Sequence, residues 1–178
     1  DPLWSRGLGD VYKRQMPSPN ATFRPAIGLS NPHLQTLWGP LWRKLPELQR
    51  DRERLWLADG DFIDLDWHGP HQPHAPLVLV LHGLTGSSHS PYVKGLQQAL
   101  QGRGWASVAV NWRGCSGEPN LLPRSYHSGA SEDLAEIVSH LRAQRPLAPL
   151  YAVGYSLGGN VLSVSYTHLR AHETREDL

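Results

Sequence analysis

Apolar residues along this chain gather in short runs separated by longer stretches of mixed character, the pattern of strands alternating with helices. Leu77-Val-Leu-Val-Leu81 is unbroken and rich in branched side chains, as a parallel strand buried on both faces requires. Trp105-Ala-Ser-Val-Ala-Val110 and Leu150-Tyr-Ala-Val153 read the same way. Between the first two, Tyr92, Val93, Leu96 and Leu100 recur at helical spacing, with Gly102 and Gly104 to close the helix. Ser131, followed by Glu132 and Asp133, predicts a second helix start with acids where the dipole favours them. Leu134, Ile137, Val138 and Leu141 are its inward stripe, and Pro146 stops it. Upstream, Arg54-Leu-Trp-Leu57 and Phe62-Ile-Asp-Leu-Asp-Trp67 flank Ala-Asp-Gly-Asp, which predicts an antiparallel hairpin. A hairpin followed by βαβαβ gives a five-stranded, mostly parallel α/β sheet with right-handed crossovers.

Two strand ends carry candidate chemistry. The run ending at Val153 enters Gly154-Tyr155-Ser156-Leu157-Gly158, the G-x-S-x-G spacing of a nucleophile elbow. A serine on so sharp a strand-to-helix turn is forced into a strained backbone, and Gly154 and Gly158 let the neighbouring chain pack close. Its hydroxyl then projects from the sheet, and the following amide, that of Leu157, points where an oxyanion would form. The strand ending at Leu81 runs into His82-Gly83-Leu84, where such folds place the other oxyanion donor, here the amide of Leu84. His82 precedes the serine in chain order, so it reads as a strand-end histidine held by backbone groups rather than as the base.

Composition changes little. A net charge of +1, with 39% hydrophobic and 19% charged residues, describes an ordinary globular domain and offers no strong field for nucleic acid. One cysteine excludes an intrachain disulfide, and no apolar run is long enough to span a membrane or serve as an export signal; a cytoplasmic location is the expectation. No metal-ligand spacing occurs and no cofactor is called for. Cys115 lacks a neighbouring base and reads as a packing residue, and His127 and Ser128 read as groups that fix a loop and a helix entry. The run from Arg43 to Arg54 interleaves acids with its basic residues and reads as a solvated face, so a membrane-surface role is not indicated. Trp38 and Trp42, beside Leu34, Leu37 and Leu41, read as core packing of an N-terminal segment.

Longer stretches resemble a known family. Gly28-Leu-Ser-Asn-Pro-His33-Leu-Gln-Thr36, Asp59-Gly60-Asp61-Phe62, His82-Gly83-Leu84 with Ser90-Pro91-Tyr92, Asn111-Trp-Arg-Gly-Cys-Ser-Gly-Glu-Pro-Asn120, Tyr126-His-Ser-Gly129 and Gly154-Tyr-Ser-Leu-Gly-Gly-Asn160 are similar to the YheT-like α/β hydrolases, relatives of the ABHD1/ABHD3 group. The resemblance covers roughly 23–162. It implies a serine hydrolase acting on carboxylic esters, with a small-molecule ester or lipid substrate of short-chain or acyl-glycerol type. A non-catalytic binding protein and an acyltransferase on the same scaffold are the alternatives.

In that family the triad Asp and His lie far downstream of the nucleophile, and only 22 residues follow Ser156. Their histidines, His168 and His172, are poorly placed: on a continuing helix, His168 lies about 18 Å along the axis from Ser156. Residues 165–178 are polar almost all round and, like 1–15, resemble translated adapter sequence. The expected organisation is therefore a non-native extension over 1–15, a partial α/β-hydrolase domain over 16–164 and a non-native tail over 165–178. The fifth strand should then form an open edge, and the chain alone should have little or no esterase turnover.

Overall fold

The computed structural model describes residues 24–42 and 47–176, except for the side chains of 40, 42 and 167–176. The chain divides into two units, Asp1–Arg43 and Lys44–Leu178. The first holds one described helix, α1 (Pro32–Trp42), opened by Asn31, whose side-chain oxygen accepts the His33 amide at 2.8 Å. Leu34, Leu37, Trp38 and Leu41 are exposed on it. They are not the buried core packing expected of them, and the side chain of Trp42 lies outside the described residues.

The second unit is built on five strands: β1 (Asp51–Trp56), β2 (Phe62–His68), β3 (Leu77–Leu81), β4 (Ala106–Asn111) and β5 (Leu150–Gly154). Their order in the sheet is β1-β2-β4-β3-β5; β2 runs antiparallel to β1 and β4, and β3 runs parallel to β4 and β5. Helices α2 (Pro91–Gln101), α3 (Ser131–Gln144) and α4 (Leu157–Glu176) complete it. The unbroken apolar run of β3 is explained by its position: all five residues are buried. Leu77, Leu79 and Leu81 join Leu134, Ile137, Leu141 and Val161 of α3 and α4 on one face. Val78 and Val80 meet Val93 and Leu100 of α2 on the other. Burying each such side chain stabilises the fold by about 1.5–3 kcal/mol. β5 lies at the sheet edge with Tyr151 and Ala152 exposed, the open edge expected of it.

The described part of the basic run, 47–54, is only in part a solvated face: Asp51 and Arg52 are exposed, while Arg50 and Arg54 are half-buried. It enters β1, where the hairpin register sets Arg52 opposite Asp66 and Arg54 opposite Asp64. Both pairs are bidentate, at 2.7 and 2.9 Å for the first and 2.8 and 2.9 Å for the second. β2 thus turns Ile63 and Leu65 into the core and buries carboxylates on its other face, where arginines neutralise them.

These carboxylates make the fold acid-sensitive. Burial alone would raise the Asp66 pKa, but bonds from Arg52, Ser88 and Asn111 outweigh it and hold the group at about 2. Asp61, also buried, is held at about 2 by Asn120, the Leu121 and Phe62 amides and Arg113. Folded values below the unfolded one mean that this stability is present above about pH 4 and is lost as pH falls towards 2. Circular dichroism from pH 6 to 2 should show unfolding in that window, and Asp66→Asn, already weakened, should flatten the pH dependence. A signal unchanged down to pH 2 would contradict this account.

Candidate active site

β5 does not simply stop at Gly154. The Tyr155 amide donates to Leu81 O at 3.0 Å, which continues the ladder one residue past the strand. The chain then reverses. Ser156 has φ +50°, a left-handed conformation that costs a residue with a β-carbon about 1–3 kcal/mol. Gly158 N donates to Tyr155 O at 2.9 Å and Asn160 N to Ser156 O at 3.0 Å, so α4 is under way within a turn. Ser156 is exposed at this corner. The glycines are there for space: a β-carbon at Gly154 would sit 2.5 Å from Gly158 O, and one at Gly158 would sit 2.6 Å from Leu81 O.

The loop after β3 meets the serine. A β-carbon built at Gly83 would lie 3.2 Å from Ser156 Cβ and 3.3 Å from Tyr155 O, a tight fit that shows how closely this peptide approaches the serine. His82 is fully buried behind it. Its Nε2 accepts the Trp112 amide at 3.3 Å, which leaves the proton on Nδ1, where it donates to Gly83 O at 2.7 Å. Burial lowers the His82 pKa, against the hydrogen bond to Gly83 O, which raises it. The expectation of a histidine held by backbone groups is met, and the held group is informative. Gly83 O belongs to the same peptide unit as the Leu84 N–H, and in a trans unit the two point in opposite directions. Fixing the carbonyl inwards aims the amide outwards. Among the described residues no hydrogen bond engages the amides of Leu84 or Leu157.

Comparison with known proteins matches this arrangement. Residues 76–165 match the profile of the α/β hydrolase fold. The chain belongs to the α/β hydrolase fold family. It is 49% identical to the protein named "Putative esterase YheT" of Escherichia coli (strain K12), over 82% of this chain and 44% of that protein. It is 35% identical to "Phospholipase ABHD3" of Bos taurus, over 79% of this chain and 36% of that protein. Among solved structures, XC6422 from Xanthomonas campestris, described as a serine hydrolase without a lid, superposes with a TM-score of 0.57 at 25% identity. The superposition covers 72% of this chain and 60% of that one. The chain thus spans less than half the length of these two curated relatives.

Other positions fall into place on the hydrolase fold. Cys115 is half-buried against the core, and burial pushes its thiol pKa up, so it is no activated nucleophile. His127 Nδ1 accepts the Gly129 amide at 3.1 Å and Ser128 O accepts the Asn160 side chain at 3.2 Å, as loop-fixing groups should. Beside the loop of Leu84 lies an open cavity of about 590 Å³, lined by Thr85, Ser87, Arg113, Cys115, Ser125 and Tyr126 among others. Among the described residues no group of His, Cys, Asp or Glu could hold a metal ion, and no helix is long and apolar enough to cross a membrane. Residues 1–15 lie outside the described residues, as do the side chains of His168 and His172; the backbone of α4 continues to Glu176.

Sequence reasoning missed the ionic cage behind the cavity. Arg113, 3% exposed, donates to both oxygens of Asp133 at 2.8 Å and to Asp61 at 3.0 Å, and it also pairs with Asp59 at 2.9 Å. Asp133, read as a helix-start acid, is in fact buried. The available signal was an arginine two residues past a buried strand, with an Asp-Gly-Asp turn elsewhere in the sequence to supply carboxylates.

Proposed function

We propose that Ser156 is the nucleophile of a serine hydrolase that cleaves carboxylic esters through an acyl-enzyme, on short-chain or acyl-glycerol substrates. The observation that carries this reading is the left-handed backbone of Ser156, exposed at the β5–α4 corner with Gly83 packed against it. Ser156 Oγ attacks the ester carbonyl carbon as its proton passes to a base. The carbonyl electrons collect on oxygen, facing the amides of Leu84 and Leu157. Collapse of this intermediate expels the alcohol, and water then releases the acid from the acyl-serine by the same steps. The relatives' printed names, an esterase and a phospholipase, support an ester of a small molecule or a lipid as the substrate.

Among the described residues no hydrogen bond joins Ser156 Oγ to a histidine. The reading assigns the base, and the Asp that orients it, to sequence outside these 178 residues. The full-length protein should therefore react with a fluorophosphonate at one residue, Ser156, and lose the adduct in Ser156→Ala. It should hydrolyse p-nitrophenyl acetate, whereas the 178 residues alone should show little or no turnover. A folded full-length protein that takes no label would favour a ligand-binding domain with a vestigial serine and end the hydrolase reading.

A further inference from the structure

We infer that two tyrosine hydroxyls, those of Tyr92 and Tyr126, position the Leu84 oxyanion donor by holding the backbone amides on either side of it. The inference rests on Ser156 being the nucleophile and adds the residues that keep its oxyanion site in shape. Gly83 N–H donates to Tyr92 Oη at 3.2 Å, and Thr85 N–H donates to Tyr126 Oη at 2.8 Å. The Leu84 carbonyl is taken by Thr85 Oγ1 at 2.7 Å, and Gly86 N closes a turn onto Gly83 O at 3.1 Å. Every polar backbone group from Gly83 O to Thr85 N thus has a partner, except the Leu84 N–H.

The hold is needed at Thr85. Its φ of +57° is left-handed, and apart from glycines only Ser156 shares that feature among the described residues. A β-branched residue keeps such a backbone only where its surroundings impose it. The surroundings here are packed aromatic rings. The Tyr126 ring stacks on Trp112 with its centroid 6.5 Å away and its plane 7° off, and it meets His82 edge-on at 6.1 Å. The Tyr92 ring packs on Tyr155, the residue before the serine, at 4.6 Å. Each hydroxyl is thus placed by the packing of its ring, and Tyr92 ties the loop to the residue before the serine. The far end of the loop is pinned separately, where the Ser88 amide donates to Asn111 at 2.9 Å and Ser88 O accepts from Arg50 at 2.7 Å. Without the Tyr126 hydroxyl, the 84–85 peptide can relax away from the left-handed state and carry the Leu84 amide with it.

The test is made in the full-length protein with p-nitrophenyl acetate. Tyr126→Phe keeps the ring and removes only the hydroxyl; kcat should fall at least tenfold while KM moves less than threefold. Tyr92→Phe should lower kcat in the same manner, and it decides the matter if Tyr126→Phe fails to fold. Glycine adopts the left-handed backbone freely, so Thr85→Gly added to Tyr126→Phe should recover at least threefold of the lost kcat. A merely structural role would not produce that recovery. A kcat within twofold of wild type in both phenylalanine variants, or a loss that Thr85→Gly does not relieve, would overturn the inference. Ser156→Ala separates the two levels. If it leaves turnover intact, the nucleophile reading fails; if it abolishes turnover while both phenylalanine variants keep full kcat, only the tyrosine inference falls.

Discussion

Arg113→Leu should cost this domain about 3–5 kcal/mol, the loss expected when one partner of a buried ionic cluster is removed. The arginine is 3% exposed, while Asp61 and Asp133 around it are 0% and 2% exposed. Deleting the cation leaves buried carboxylates under-compensated rather than merely losing a bond, since the remaining cation, Arg124, is 3.4 Å from Asp59 and 3.9 Å from Asp133. Asp61 would keep Asn120 and two backbone amides. Asp133 would lose both of its short contacts at once. A small domain is stable by only about 5–15 kcal/mol, so the loss is a large share of the margin. Urea denaturation should show the midpoint falling steeply, and Arg113→Lys should fall between the two because one ammonium cannot match the bidentate geometry. If Arg113→Leu were within 1 kcal/mol of wild type, the cage would contribute nothing and the burial argument would fail. Replacing Arg113 and Asp133 together by apolar residues of similar volume should be milder than Arg113→Leu alone, which distinguishes a stranded charge from lost packing.

The legible parts of this fold are those set by one-dimensional pattern. β3 and β5 announce themselves as apolar runs, and the elbow is legible because its sterics permit few residue types at 154, 156 and 158. The arginine–aspartate pairing across the predicted β1–β2 hairpin was hidden for a different reason. Leu55, Asp64 and Asp66 look like ordinary alternation until a register is fixed, and register comes from the turn at Asp59-Gly60. Once Trp56 faces Phe62, each step back along β1 meets a step forward along β2, and arginines at 52 and 54 meet aspartates at 66 and 64. The tyrosines were out of reach altogether. Tyr92 and Tyr126 lie 34 positions apart, on a helix and in a loop, and nothing local tells that both hydroxyls return to one tripeptide.

Gly158→Ala should damage the site more than the fold, and the geometry says why. The added β-carbon would lie 2.6 Å from Leu81 O, 2.7 Å from His82 O and 2.8 Å from Leu81 Cβ. Two of these are backbone atoms at the end of β3 that cannot swing aside. The start of α4 must therefore back away from the strand whose next residues carry Leu84. Overpacking of this kind costs about 1–3 kcal/mol, which the domain can survive. The separation of Ser156 and Leu157 from the Gly83–Leu84 loop cannot be absorbed so easily, since a displacement of about 1 Å in a reacting constellation can cost roughly 100-fold in rate. In the full-length protein, fluorophosphonate labelling of Gly158→Ala should slow by that order while the protein still melts cooperatively. Gly102→Ala is the contrast. That glycine is right-handed at φ −62°, and its nearest contacts are 3.7 Å away, so a methyl there fits, with labelling unchanged and stability equal or higher. Labelling at wild-type rate in Gly158→Ala would mean that the elbow does not need its close approach to β3.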